Sequence, residues 1–403
     1  MNHNPRSDSG SGAGVAIALA LGLVILIALV GAGAGFFLFA SSSEVQWQSG
    51  PATGVTTTVT APSRIRFLER TLDQPLSALD IKETLEAPVV AFDADHNLQI
   101  AYASQTAKDQ RTLYYSLVNH PDLSPAAPRA QRETAIFTSV SQMNGKEVKR
   151  PLRLLPQLVV AGKDIYLGWI EPNAENTTVI YYVAKSIDGG VTFGEPLRVH
   201  ESDAARPNFI ALAADAQGNL LASWLDHRAG IQQPFASVRL AGEAAFQPEQ
   251  QIYASPEGNG VCPCCPTAAL ITPNGRLIVA FRNQLAGHRD IFIAERQLTD
   301  SGAFSEPVRV LGEPTWKFDG CPHDGPSLAT DGSSLFVGWM DAHTGTPRVY
   351  VASRPLSGGP FSAAENFNTL STGAQGCVKL AASSAGDLHA VWEESPAATE
   401  TKA

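Results

Sequence analysis

The chain has 403 residues, 44% hydrophobic and 17% charged, enough apolar content to bury a core as one large domain or a few small ones. Its 39 acidic residues outnumber 29 basic ones and leave a net charge of −10, so the basic footprint of a nucleic-acid binder is missing. With 27 Pro, 34 Gly and only three Met, the composition suits many turns and argues against a helical bundle.

Residues 1–14 form a short polar N-terminus. The run over 15–40, VAIALALGLVILIALVGAGAGFFLFA, is 26 residues without a charge, long enough to span a bilayer with some tilt. A cleaved signal peptide is the alternative, but its apolar region is usually about 7–15 residues, and Leu38 is a poor −3 residue for a cut after Ala40. No Cys lies near that point, which excludes a lipoprotein cut. Arg6 is the sole basic residue before the span, and none follows until Arg64. That bias keeps the N-terminus in the cytoplasm and puts the 363 residues from Ser41 onward outside. Gly31 and Gly35 form a GxxxG pair, read as either a helix-packing face or a plain Gly/Ala-rich anchor. The expectation is a single-pass bacterial membrane protein with its main domain in the periplasm or outside the cell.

A hexapeptide then recurs six times: NLQIAY at 97–102, DIYLGW at 164–169, NLLASW at 219–224, RLIVAF at 276–281, SLFVGW at 334–339 and DLHAVW at 387–392. Each has an aliphatic second residue, a mostly small fifth residue and a closing aromatic. The aromatics Tyr102, Trp169, Trp224, Phe281, Trp339 and Trp392 are spaced 67, 55, 57, 58 and 53 residues apart. An apolar run precedes the hexapeptide, as in PVVAFD, FIALAAD and TAALITP, and a turn joins the two, so each unit opens with a β-hairpin. A further strand often follows, as in VIYYVAKS at 179–186, DIFIAERQ at 290–297 and RVYVASR at 348–354. Six such units predict an all-β, six-bladed β-propeller over 87–395, with small residues where inner strands crowd the axis. The tail over 396–403 is polar. Too little chain follows Trp392 for outer strands, so the segment over 41–86, with VTTTVT at 55–60 and RIRFLERTL at 64–72, is expected to close the ring.

Ser186-Ile187-Asp188-Gly189-Gly190-Val191-Thr192-Phe193 fits the pattern S-x-D-x-G-x-T-F. Asp188 can accept backbone N–H bonds across the turn, the glycines supply positive φ, and Phe193 can pin the turn to its blade. A worn copy stands at Phe304–Val310. With the repeat, this turn resembles the Asp box of bacterial sialidase-like (BNR-repeat) propellers. The resemblance implies that the box is structural and lies away from any active site. Active members of the family hold a substrate carboxylate with three Arg and use a Tyr–Glu pair and an Asp. Here Arg64-Ile65-Arg66 departs from the family's R-I-P string, and no Tyr follows Tyr350. Arg206, Arg282 and Arg348 lie near strand ends and are the available cluster; Arg282 with Asp290 and Arg228 with Asp226 are equally loop ion pairs.

All five cysteines lie in the last third: Cys262, Cys264 and Cys265 in CPCCP, Cys321 in GCPHDGP beside His323, and Cys377 in QGCVKL. Cys265 to Cys321 and Cys321 to Cys377 are both 56 residues, one repeat each, which sets the cysteines at equivalent places before the first strands of three blades. They are expected to meet at one rim of the central channel. His227, His288 and His343, which follow the inner strands, are expected as loop residues near the opposite rim. CPCC with GCPHxGP also resembles a subgroup of sialidase-like proteins. Three chemistries remain open. Thiolates with one imidazole suit copper or zinc. Disulfides suit an oxidising compartment, with an odd Cys left over. A thiol activated by His323 is the third. The reading is thus a membrane-anchored binding protein with a soft-metal site formed by Cys262, Cys264, Cys265, Cys321, His323 and Cys377, and no assigned catalytic residue. A metal ion, a glycan and a membrane protein are the candidate partners. An exo-α-sialidase or other glycan-acting hydrolase is the rival.

Overall fold

The computed structural model describes residues 88–395, except 96, 108–109, 119–130, 141, 144–145, 148–152, 174–176 and 368–372. The anchor expected over 15–40, the closing segment over 41–86 and the tail over 396–403 lie outside the described residues. Among the described residues the regular elements are all strands, and no helix is long and apolar enough to cross a membrane.

The strands form five four-stranded antiparallel sheets and a sixth sheet with two strands among the described residues. The first sheet holds Val89–Phe92, Leu98–Ala107, Gln110–Val118 and Gln131–Val140; the second holds Gln157–Ala161, Asp164–Pro172, Val179–Ser186 and Leu197–Arg198. The third runs through Pro207–Ala214, Leu220–Asp226, Gln233–Arg239 and Gln250–Gln251; the fourth through Ala268–Ile271, Arg276–Arg282, Ile291–Gln297 and Val308–Arg309. The fifth comprises Ser327–Thr330, Ser334–Asp341, Arg348–Pro355 and Glu365–Asn366, and the sixth Ala374–Ala382 and Leu388–Ser395. Strand order follows the chain in every sheet, so each is a meander built from local hairpins. A short hairpin, Gln142–Met143 with Lys146–Glu147, stands apart.

Every recurring hexapeptide falls on the second strand of its sheet, and the first strands of successive sheets pack side by side. The alternation of a strand explains the motif, because its fifth and sixth residues face opposite ways. The small fifth residue faces the following sheet. A Cβ on Gly338 would stand 2.9 Å from Leu380 of the sixth sheet, and Ser223 meets Thr267 of the fourth sheet at 2.9 Å. The aromatic sixth residue turns back toward the preceding sheet. Trp224 packs edge-on against Tyr181, with centroids 6.2 Å apart, and Trp339 joins the core shared with Ile278 and Ile293. The small residues therefore make room for the neighbouring sheet rather than for the axis.

The Asp box is the turn between the third and fourth strands of the second sheet. Thr192 donates its N–H and hydroxyl to Asp188, at 2.9 and 2.7 Å. Ser186 donates to Asp188 at 2.8 Å and accepts the Gly190 N–H at 2.8 Å. These donors, led by Thr192, lower the Asp188 pKa to about 2. Gly190 has φ of 79°, and a Cβ there would collide with the Tyr115 ring. Phe193 meets that same ring edge-on at 5.3 Å. The box therefore fastens its own sheet to the first. The worn copy keeps the underlying backbone bond: Ser305 donates to Glu295 at 2.8 Å, as Gly194 donates to Lys185 at 2.9 Å.

Candidate metal centre

The first strand of each sheet is led in by a loop, and the second strand returns antiparallel to end beside it. Cys262 accordingly donates its N–H to the Arg282 carbonyl at 3.1 Å, and His227 donates to Arg206 at 3.2 Å. This return places His227, His288 and His343 on the same side of the sheets as the lead-in loops. The expectation of an opposite rim is corrected by that hairpin geometry.

The CPCC turn folds all three of its sulfurs inward. Cys262 and Cys265 lie 3.3 Å apart, Cys262 and Cys264 3.9 Å, and Cys264 and Cys265 4.0 Å. All three are buried and pack against Phe209 of the third sheet. From the fifth sheet's lead-in loop, Cys321 and His323 approach Cys264. Two trios result, Cys262/Cys264/Cys265 and Cys264/Cys321/His323, with the ligand atoms of each within 4.8 Å of one another. Cys264 belongs to both. Cys321 and His323 are exposed, so the cluster runs from the interior to the surface.

Local chemistry prepares the thiols unequally. The Cys265 thiol donates to Cys262, and Arg289, the Cys264 N–H and Arg282 assist, lowering the Cys262 pKa to about 6 against the opposing effect of burial. Cys265, which keeps the shared proton, is raised by that same bond and by burial. Burial and donation to Cys321 push Cys264 up to about 12, although the His323 N–H favours its thiolate. The trio of soft donors can hold a metal ion, which supplies the charge that stabilises the remaining thiolates.

The scaffold depends on residues that no motif signalled. Arg282, 1% exposed, donates to the carbonyls of Asp324, Arg289 and Met340 at 2.8, 2.6 and 2.9 Å. It thereby locks the fourth sheet to the lead-in loop of the fifth. Arg289 donates from Nε to Phe318 at 3.0 Å, holding the loop that carries Cys321. Gly325 lies so close to Pro266 that a Cβ would stand 2.3 Å from its carbonyl oxygen, which explains the glycine in GCPHDGP. His323 adopts φ of 55°, uncommon for a residue with a side chain. The position of Arg282, one residue beyond the hexapeptide, was the available sequence signal.

Cys377 belongs to neither trio. It lies within the strand Ala374–Ala382, where the register shifts between Gly376 and Lys379, and not before the strand. Its N–H donates to buried Asp324 at 2.6 Å. The residue is accessible to water but recessed, and burial, then Asp324 and Glu393, push its thiol up to about 12.

The arginines expected as a possible carboxylate clamp are otherwise engaged. Arg206 donates to the carbonyls of Asp203, Ala204 and Ala205, Arg282 to three carbonyls as above, and Arg348 to Gly373. Arg228 does pair with Asp226 at 2.8 Å. Asp290 pairs with Arg309 at 3.1 Å, whereas Arg282 approaches Asp324 at 3.9 Å.

No protein-family profile and no curated protein sequence matches the chain. Solved structures do. A leech intramolecular trans-sialidase complexed with 2,7-anhydro-Neu5Ac matches with a TM-score of 0.50 at 9% identity, covering 78% of this chain and 65% of that one. An intramolecular trans-sialidase from Ruminococcus gnavus matches at 0.49 and 9% identity, covering 79% and 92%. An α-L-arabinanase from Penicillium chrysogenum matches at 0.43 and 12% identity, covering 76% and 92%. The chain thus spans slightly under two thirds of the leech enzyme. With the sheet order above, that likeness defines the fold as a sialidase-like β-propeller.

Proposed function

We propose that this chain is a membrane-anchored, extracytoplasmic six-bladed propeller that binds a soft metal ion, Cu(I) or Zn(II), through the Cys/His cluster. The observation that carries the reading is the convergence on Cys264 of donors from two lead-in loops 56 residues apart. Packing alone does not require three buried sulfurs within 4.0 Å with a further thiol and an imidazole directed at one of them. The uncharged run over 15–40 supports the anchor, and VTTTVT with RIRFLERTL supplies strands to complete the two-stranded sixth sheet. Cys377 has a structural part in this reading, presenting its N–H to Asp324.

The test is metal analysis of the reduced full-length protein, purified without chelator, followed by Cu(I) and Zn(II) uptake. Copurifying metal, or stoichiometric uptake abolished by Cys264→Ser, is the expected result. A protein that takes up neither ion while its cysteines titrate as free thiols overturns the reading.

A further inference from the structure

We propose that the cluster is a dinuclear Cu(I) site in which the Cys264 sulfur bridges two ions. One ion takes Cys262, Cys264 and Cys265; the other takes Cys264, Cys321 and His323. This inference rests on the soft-metal reading above and specifies its nuclearity.

The geometry divides the donors. An ion bonded at about 2.3 Å keeps its ligand atoms within about 4.6 Å of each other. The four sulfurs and the imidazole do not all lie within 4.8 Å of one another; they form two trios that satisfy this separation, with Cys264 common to both. A single ion placed in one trio leaves two soft donors of the other unused, whereas an ion in each uses all five. A thiolate sulfur has lone pairs enough to bond two ions, and Cys264 sits between a buried pair and an exposed pair.

Coordination number selects the metal. Structural Zn(II) sites are almost always four-coordinate, and each trio supplies three donors. Cu(I) accepts three, and soft thiolates favour it. Charge agrees with this choice. Four thiolates and two Cu(I) ions leave two negative charges, and the guanidiniums of Arg282 and Arg289 act on the Cys262 sulfur from within the fold. Both arginines are held by backbone carbonyls, so their positive charge is fixed beside the inner ion. Cys321 and His323 are exposed, which gives an incoming ion a first landing point before the interior is filled.

The experiment is an anaerobic Cu(I) titration of the reduced full-length protein in detergent against a chromophoric Cu(I) chelator, with X-ray absorption on the fully loaded form. The expected break is at two equivalents, with a short copper–copper vector. Cys321→Ser and His323→Ala should each remove the second equivalent and the vector while keeping one bound ion. Cys264→Ser should abolish both. A wild-type break at one equivalent without that vector, unchanged by Cys321→Ser, overturns the dinuclear site while leaving a mononuclear soft-metal protein. No Cu(I) uptake by the wild-type protein overturns both this inference and the reading beneath it. The wild-type stoichiometry and vector decide the matter even if a variant does not fold.

Discussion

Single residues decide how closely the site can be assembled. The Gly325 backbone and the Pro266 carbonyl leave no room for a methyl group, so Gly325→Ala must push the two cysteine-bearing loops apart. The expected cost is about 1–3 kcal/mol, the range for overpacking, read from denaturant melts, together with weakened metal uptake. His200 gives a pH-dependent case. Its Nε2 accepts the Tyr181 N–H at 3.3 Å and its Nδ1 faces the Ser202 carbonyl at 3.0 Å, an arrangement that needs a neutral ring. Burial lowers its pKa below the ordinary 6.5. A lowered folded-state pKa means that this contribution to stability is present above the unfolded value and lost as pH falls through the folded one. Melting temperature should therefore fall as pH drops below about 6.5, with a shallower fall in His200→Gln. Parallel curves for the two proteins would contradict the assignment.

At the scale of the element, the Asp box is a fastener between two sheets. Its carboxylate has a pKa near 2, below the ordinary 3.8, so the benefit of its charge is present above 3.8 and lost as the pH approaches 2. Asp188→Asn should lower the melting temperature at neutral pH, and the gap from wild type should narrow in strong acid. Metal uptake should be unchanged, since the box lies between the first and second sheets and the sulfurs lie on the fourth and fifth. Selective loss of uptake with an unchanged melt would show that the turn serves the site. The box and the six hexapeptides were legible in the sequence because their signals are local: turn chemistry, alternation and a regular spacing. The use of the small fifth residue was not, since Gly338 and Ser223 acquire meaning only beside Leu380 and Thr267 of the next sheets.

For the whole molecule, the sequence carried the all-β class and the grouping of CPCC with Cys321 and His323. It misplaced Cys377 because equal spacing of 56 residues ignores the register shift beside that residue. It misplaced three histidines because an antiparallel return was read as a one-way run. The roles of Arg282, Arg289 and Asp324 were out of reach, since each acts through backbone groups far away in sequence. Two further outcomes belong to this scale. Removal of residues 1–40 should release a folded protein from the membrane fraction, and continued behaviour as an integral membrane protein would refute the anchor. Fluorogenic sialosides should not be turned over above background, because Arg206, Arg282 and Arg348 already serve carbonyl groups; robust turnover by a clean preparation would overturn the binding-protein reading.

The junction between the fourth and fifth sheets has a dynamic consequence. Arg282 and the cysteine-bearing loops cross it, as does the core containing Ile278, Ile293, Leu335 and Val337. Sheets that touch mainly their neighbours can part locally, and a ligand bound only by the closed junction opposes that parting by mass action. At a free metal concentration one hundred times the dissociation constant, the opening becomes costlier by about 2.7 kcal/mol. Amide hydrogens of Arg276–Arg282 and Ser334–Asp341 should then exchange up to about a hundredfold more slowly, while those of the first and second sheets keep their rates. Metal would thus act as a local brake on breathing, and exchange rates would map its reach along the chain.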